Sequence, residues 1–131
     1  MSEEHAGHPG ESPHKGKTGL KRVWNAMFYS FAGLGSAWKH EDAFRQESIL
    51  AMIMIPLAFL LTQAPLERAL MIAVVLLVLI VELINSAIEA TVDRISLENH
   101  RLAKRAKDIG SAAVLIALIN VLAVWGLVLL G

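Results

Sequence analysis

Apolar side chains form three long runs along the chain, at about residues 45–66, 69–93 and 108–131. Each of the last two exceeds the roughly 20 apolar residues that an α-helix needs to cross the hydrocarbon core of a bilayer. Pro56 interrupts the first run, but a proline kinks a membrane helix without ending it, because neighbouring groups can satisfy the freed carbonyl. The pattern therefore predicts three transmembrane helices.

Residues 19–39 follow a different pattern, in which large apolar side chains recur at steps of three and four. This spacing predicts an amphipathic helix, and its tryptophans and basic residues are typical of a helix that lies in the membrane interface. Residues 1–18 are polar and have almost no apolar surface to bury, so we expect a disordered tail. The predicted architecture is an all-α membrane domain over residues 19–131, with a surface helix followed by three spans.

The composition agrees with a membrane protein. Hydrophobic residues make up 55% of the chain and aromatic residues only 6%, so the apolar content is mostly aliphatic. Together with a mean hydropathy of +0.52, this is too apolar for an ordinary soluble domain. The chain has no cysteine, which excludes disulfides and thiolate metal sites. We expect no nucleic-acid partner.

Lysine and arginine are distributed unevenly between the predicted loops. The loop after the second run is rich in basic residues, whereas the turn before that run carries Arg68 alone. Because basic loops remain on the cytoplasmic side, we expect the N-terminus and the second loop to face the cytoplasm and the C-terminus to face outward. The basic residues of the second loop are Arg94, Arg101, Lys104, Arg105 and Lys107.

Polar side chains occur in the second apolar run, and they share one narrow face of the predicted helix, given about 100° of rotation per residue. An ionisable group at membrane depth costs roughly 2.5–3.5 kcal/mol and is normally retained for function. The stripe is therefore a candidate active site or ion pathway, and the alternative is a structural face that contacts a neighbouring helix. Its members are Glu82, Asn85, Ser86, Glu89 and Asp93.

Two further polar groups are predicted near the same ends of the helices. One is a helical face formed by Lys104, Lys107, Asp108 and Ser111, and the other is the segment 41–47 before the first span. Carboxylates beside lysines suit a nucleotide bound with Mg²⁺, because oxygen ligands hold the ion and ammonium groups meet the phosphates. Glu82 lies deepest in the membrane and is a candidate general base for a hydroxyl of a molecule in the bilayer.

Three segments together resemble the small integral-membrane diacylglycerol kinases of bacteria. The central one is residues 82–93, with the sequence ELINSAIEATVD, and the others are Glu41 with residues 43–47 (AFRQE) and residues 106–114 (AKDIGSAAV). The resemblance extends from about Gly19 to the C-terminus, with nearly the spacing of the family. The central motif is highly specific.

This resemblance implies a homotrimer in the bacterial cytoplasmic membrane, with active sites shared between subunits. It also implies transfer of the ATP γ-phosphoryl group to diacylglycerol, which gives phosphatidic acid. Glu82 is then the general base, and Glu41 and Glu89 hold Mg²⁺ between the phosphates. The residues implied to bind nucleotide are Arg22, Tyr29, Glu41, Glu89, Glu98, Asn99, His100, Lys107 and Asp108, and those implied to bind or support the lipid are Glu47, Asn85 and Ser111.

Three alternatives remain open at this point. Phosphorylation of undecaprenol, a sister activity in the family, would use the same base, magnesium and nucleotide residues. A cation-pathway subunit could line a pore with the glutamate stripe, but a pore gives no reason for the adjacent Lys107 and Asp108. A structural membrane adaptor would leave the intramembrane carboxylates unexplained.

Overall fold

A computed structural model of the chain describes residues 19–95 and 100–131, which form four α-helices. They are α1 (Gly19–His40), α2 (Asp42–Leu61), α3 (Pro65–Ile95) and α4 (Arg101–Leu130). The last three are long and apolar enough to cross a membrane. The prediction of an all-helical protein with three helices of membrane-spanning length is confirmed.

The helix bounds differ most from the predicted runs at two places. The first run was expected to reach Leu66, but α2 ends at Leu61 and Pro65 begins α3. Proline favours the first position of a helix, because its missing N–H would have no partner there. At the other place, α4 begins at Arg101, ahead of the expected start of the third span at Asp108, and His100 caps it.

The described residues fall into two compact units, with the division between Ser36 and Ala37. In the first unit, the structure describes residues 19–36 of α1, where the rings of Trp24 and Phe28 meet edge to face with centroids 5.4 Å apart. The predicted tail, residues 1–18, lies outside the described residues. The second unit, Ala37–Gly131, contains the three long helices.

Helix α3 lies at the centre of the second unit, because it packs against both α2 and α4. The buried core joins Val74 and Val78 of α3 to Ala117 and Val121 of α4. Ala117 is small enough to let the helix backbones approach closely, and the valines fill the space beside it; such packing stabilises membrane helices without a hydrophobic driving force between them.

The turn between α2 and α3 is held by Arg68. Its guanidinium donates to the carbonyl oxygens of Thr62 at 2.7 Å and Phe59 at 2.8 Å, and it lies over the Phe59 ring, 5.2 Å from the centroid. The last carbonyls of a helix have no intrahelical donor and carry partial negative charge. Arg68 therefore caps α2 from the first turn of α3.

Near the same end of the unit, Trp125 links α4 to α3. Its indole N–H donates to the carbonyl oxygen of Met71 at 3.1 Å, and Met71 is fully buried. The ring of Trp125 also packs against the core cluster. This bond therefore fixes the height of α4 relative to α3.

We predict that Trp125→Phe lowers the free energy of unfolding by about 0.6–2 kcal/mol, the range found for hydrogen bonds between membrane helices. Phenylalanine keeps an aromatic ring but cannot donate to Met71. Unfolding of the purified protein in mixed micelles, titrated with a denaturing detergent, measures the loss. Trp38→Phe is the matched control, since Trp38 is 43% exposed, and an equal loss in both variants would argue against the bond.

Candidate active site

The site begins at the corner between α1 and α2, which Glu41 occupies. Glu41 is the N-cap residue of α2, with extended backbone angles (φ −117°, ψ 107°), and its side chain makes no capping hydrogen bond. Its backbone N–H donates to Ala37 at 2.8 Å, and its carbonyl accepts from the N–H of Arg45 at 3.2 Å. The corner therefore presents a carboxylate whose oxygens are not used to cap the helix.

Arg45 fixes this corner from the first turns of α2. Its guanidinium donates to the carbonyl oxygens of Trp38 at 2.8 Å and Lys39 at 3.1 Å, in the last turn of α1. It also forms an ion pair with Asp42. Cationic side chains stabilise the C-terminal carbonyls of a helix in this way. Arg45 thus helps to fix the backbone between α1 and α2, where Glu41 lies.

The polar stripe of α3 runs from a buried end to an exposed end. Glu82 and Asn85 are buried, with 6% and 7% of their surface exposed. Glu89 is half-buried and Asp93 is exposed. The Asn85 side-chain amide donates to Glu89 Oε1 at 3.3 Å. Asn85 therefore orients Glu89 from one turn deeper in the same helix.

Asn85 of α3 also packs directly against Gly110 of α4. Gly110 of α4 is buried, and a Cβ atom added to it would overlap the side-chain oxygen of Asn85. That oxygen is buried and has no hydrogen-bond partner. The role of Gly110 is visible only in the structure. A glycine within an otherwise apolar helix is nevertheless a recognisable signal in a sequence for close helix packing.

Carboxyl groups from two helices and the corner meet around Glu82. The Glu47 carboxyl group of α2 lies close enough to Glu82 to interact with it electrostatically, and Glu47 Oε2 is buried without a hydrogen-bond partner among the described residues. Glu41 and Glu89 lie within electrostatic range of Glu82. Like charges repel strongly in a low dielectric, so this arrangement suits a site that binds a proton or a cation.

Ser86 belongs to the same region. Its hydroxyl oxygen is buried and has no hydrogen-bond partner in the structure. Together with Asn85 Oδ1 and Glu47 Oε2, it makes three buried polar atoms without partners on neighbouring turns of α2 and α3. Native proteins satisfy most buried polar groups, and exceptions point to function, bound water or an ion.

The basic side chains of α4 lie at the exposed end of the stripe. Lys107 Nζ contacts Asp93 Oδ1 at 2.7 Å, which links α4 to α3. Lys104 Nζ contacts Asp108 Oδ2 at 2.7 Å within α4. Both pairs are exposed enough to be exchanged for other ligands, because ion pairs of this kind contribute about 0–1 kcal/mol.

The remaining predicted residues are placed less closely. Ser111 is exposed, and its hydroxyl group forms no hydrogen bond with another side chain within residues 19–95 and 100–131. The His100 ring accepts the backbone N–H of Leu102 at 3.0 Å and so caps α4. Arg22 and Tyr29 lie on α1 in the first unit. The other two predicted nucleotide residues, Glu98 and Asn99, lie outside the described residues.

The carboxylates of the site supply only part of the oxygen ligands that Mg²⁺ requires. Among residues 19–95 and 100–131, no three acidic or histidine side chains converge as a complete metal cage. Magnesium usually takes one or two protein carboxylates together with phosphate oxygens and water. Glu41 and Glu89 are half-buried carboxylates that both lie within electrostatic range of Glu82, so their chemistry fits an ion that is bound together with a nucleotide.

A small apolar groove of about 50 Å³ lies beside Glu47, between α2, α3 and α4. Its walls include Leu50 and Met54 of α2, Val78 of α3 and Leu118 of α4. The groove joins the carboxylate cluster to a surface of aliphatic side chains. A ligand with one polar end and one hydrocarbon chain matches both surfaces.

We predict that Gly110→Ala lowers the free energy of unfolding by about 1–3 kcal/mol, the usual cost of overpacking. The added methyl group displaces Asn85, which also disturbs the hydrogen bond to Glu89. Detergent-induced unfolding measures the loss. Gly126→Ala in the same helix is the control, because its Cβ would meet no atom within 4 Å. A loss no greater in Gly110→Ala than in this control would contradict the close approach.

Comparisons with known proteins show the family of the chain. The family model of prokaryotic diacylglycerol kinases matches residues 28–129. The chain is 60% identical over 120 residues to a diacylglycerol kinase of Pseudomonas aeruginosa, and the aligned stretch covers 92% of this chain and 98% of that protein. Diacylglycerol kinases of Haemophilus influenzae and Escherichia coli K12 are 55% and 49% identical, over 83% and 86% of this chain and 92% of each relative. The resemblance seen in the sequence is confirmed, and the chain belongs to the prokaryotic diacylglycerol kinase family.

Proposed function

We propose that this chain is a membrane lipid kinase that transfers the γ-phosphoryl group of ATP to the free hydroxyl of diacylglycerol. The products are phosphatidic acid and ADP. The observation that carries the proposal is the buried Glu82 carboxyl group, which has three further carboxylates in electrostatic range. Carboxyl groups inside membrane helices are costly and are rare away from functional sites. Membership of the family supports the same activity.

Glu82 is the general base of the proposed reaction. As the lipid hydroxyl oxygen attacks the γ-phosphorus, its proton passes to a Glu82 carboxylate oxygen. The bond from the γ-phosphorus to the bridging oxygen breaks, and that oxygen leaves with ADP. Because the acceptor hydroxyl belongs to a lipid, a base on a helix of membrane-spanning length, such as Glu82 on α3, is well suited to reach it.

Glu41 and Glu89 are the residues that we propose to hold Mg²⁺. The ion supplies positive charge that neutralises the phosphates during transfer. Glu41 leaves the α1–α2 corner without a capping bond, and Glu89 is oriented by Asn85. The two carboxylates therefore come from different elements, each held by its own local structure.

The nucleotide site extends to the exposed end of the stripe. Lys107 is suited to a phosphate, because its ammonium group is held only by a partly exposed ion pair that a phosphate can displace. Asp108 is paired with Lys104 in a similar way. The remaining residues proposed to contact ATP are Arg22, Tyr29, Glu98, Asn99 and His100.

The lipid is proposed to bind with its hydroxyl at Glu82 and one hydrocarbon chain along the apolar groove. Glu47 supports this placement, because it lines the groove and also meets Glu82. Asn85 and Ser111 are proposed to support the base and the lipid head group. An aliphatic chain in the groove would gain contacts with Leu50, Met54 and Leu118.

We further propose a homotrimer with active sites shared between subunits, in the bacterial cytoplasmic membrane. The amphipathic character expected of α1 places that helix on the membrane surface, and the basic loop places the N-terminus inside and the C-terminus outside. Many large side chains of α2–α4 are exposed in the single chain, such as Leu60, Ile116 and Leu122. Lipid and neighbouring subunits together would cover them.

We predict that the purified protein in mixed micelles transfers label from γ-labelled ATP to diacylglycerol. Undecaprenol, offered separately, tests the sister activity, since both alcohols would use the same base and nucleotide residues. Chromatography of the lipid products measures the choice. Labelled undecaprenyl phosphate with no labelled phosphatidic acid would replace the proposed substrate, and no labelled lipid in either assay would reject the kinase.

We predict that Glu82→Gln reduces turnover by about 10²–10⁴-fold, the usual contribution of a general base. Glutamine keeps the shape of the side chain but cannot accept the proton, so nucleotide and lipid still bind and the folded protein is at least as stable. Turnover, nucleotide affinity and detergent-induced unfolding are measured together.

Glu89→Gln is the matched comparison, two turns along the same face of α3. It should weaken nucleotide binding in the presence of Mg²⁺, and raised Mg²⁺ should partly restore it. A Glu82→Gln enzyme that retains most of its turnover would remove Glu82 from the proposed role. So would a loss of turnover explained entirely by failure to bind nucleotide.

A further inference from the structure

Lys107 has two acidic neighbours on the same face of α3. It contacts Asp93 directly, with Nζ 2.7 Å from Oδ1. Glu89 lies one turn deeper than Asp93 in the helix, and its carboxylate is within electrostatic range of the Lys107 ammonium group. A lysine ammonium on a flexible stem can reach several positions, so the two carboxylates compete for one cation.

The outcome of this competition matters for Glu89. A carboxylate paired with an ammonium group is a poor ligand for Mg²⁺, because the metal must first displace the bound cation. In the structure, the direct contact of Lys107 is with Asp93, and Glu89 is left with the Asn85 amide on Oε1. Asp93 is exposed, and the proposed reaction does not require it to contact a substrate.

We infer that Asp93 is a positioning residue that holds Lys107 away from Glu89, and this inference rests on the proposed function. The Asp93 carboxylate keeps the ammonium group at the outer end of the stripe, where nucleotide phosphates would arrive. It thereby leaves Glu89 available to the metal. The Lys107 side chain is 43% exposed and the Asp93 side chain is 61% exposed, so their ion pair contributes little to folding. Its effect is to determine which of the two carboxylates binds the Lys107 ammonium group.

Asp93→Asn tests this role. Without the Asp93 charge, Lys107 moves to Glu89, and we expect the apparent Kd for metal to rise about two- to fivefold, the range of a surface ion pair. The probe is Mn²⁺ added with a non-hydrolysable ATP analogue, and the electron paramagnetic resonance signal of free Mn²⁺ measures binding without turnover. Asp93→Glu keeps the carboxylate and should restore most of the affinity.

A second background separates positioning from direct ligation. If Asp93 acts through Lys107, then adding Asp93→Asn to a Lys107→Gln protein changes metal affinity no further. If Asp93 is itself a metal ligand, the loss persists in that background, and the inference is overturned. Glu67→Gln is the charge-matched control, since Glu67 lies in the first turn of α3, at the opposite end of the helix.

The same titration distinguishes failure of this inference from failure of the proposed site. Glu89→Gln must weaken Mn²⁺ binding if Glu89 holds the metal. Wild-type affinity in Asp93→Asn, together with weak binding in Glu89→Gln, would overturn the positioning role alone. Wild-type affinity in both variants would overturn the proposed metal site, and the positioning role with it.

Discussion

The main constraint on the structure is that the packing of its three long apolar helices buries carboxyl groups. Glu82 is buried in α3 and meets Glu47 of α2, an arrangement that is costly in a low dielectric unless a proton or cation is shared. The packing of α2 and α4 against α3 imposes this proximity. Loss of that packing would let the two carboxyl groups separate, so helix packing and the proposed chemistry are coupled.

Arginine side chains hold α2 at both ends. Arg45 donates to the last carbonyls of α1 at one end, and Arg68 donates to the last carbonyls of α2 at the other. In each case a rigid fork of donors satisfies backbone oxygens that the helix leaves free. These hydrogen bonds to backbone carbonyls consequently help to set the position of α2, and with it the positions of Glu41 and Glu47. Contacts with lipid cannot supply such hydrogen bonds.

The polar residues differ in burial along the stripe. Its inner residues, Glu82 and Asn85, are buried and oriented by neighbouring helices. Its outer residue, Asp93, forms an exposed ion pair with Lys107, which a phosphate can exchange. This gradient suits a phosphoryl transfer in which the base remains fixed and the nucleotide side is rearranged at each turnover.

Periodicity and composition alone determined the helical class, the three helices of membrane-spanning length and the grouping of Glu82, Asn85 and Glu89 on one face, because these are properties of single helices. The family resemblance was equally accessible, since it depends on local motifs. Only the tertiary structure decided that Glu47 faces Glu82, that Gly110 receives Asn85 and that Lys107 pairs with Asp93. Contacts between helices depend on their relative height and rotation, which small buried side chains and capping arginines set and which helical periodicity does not encode.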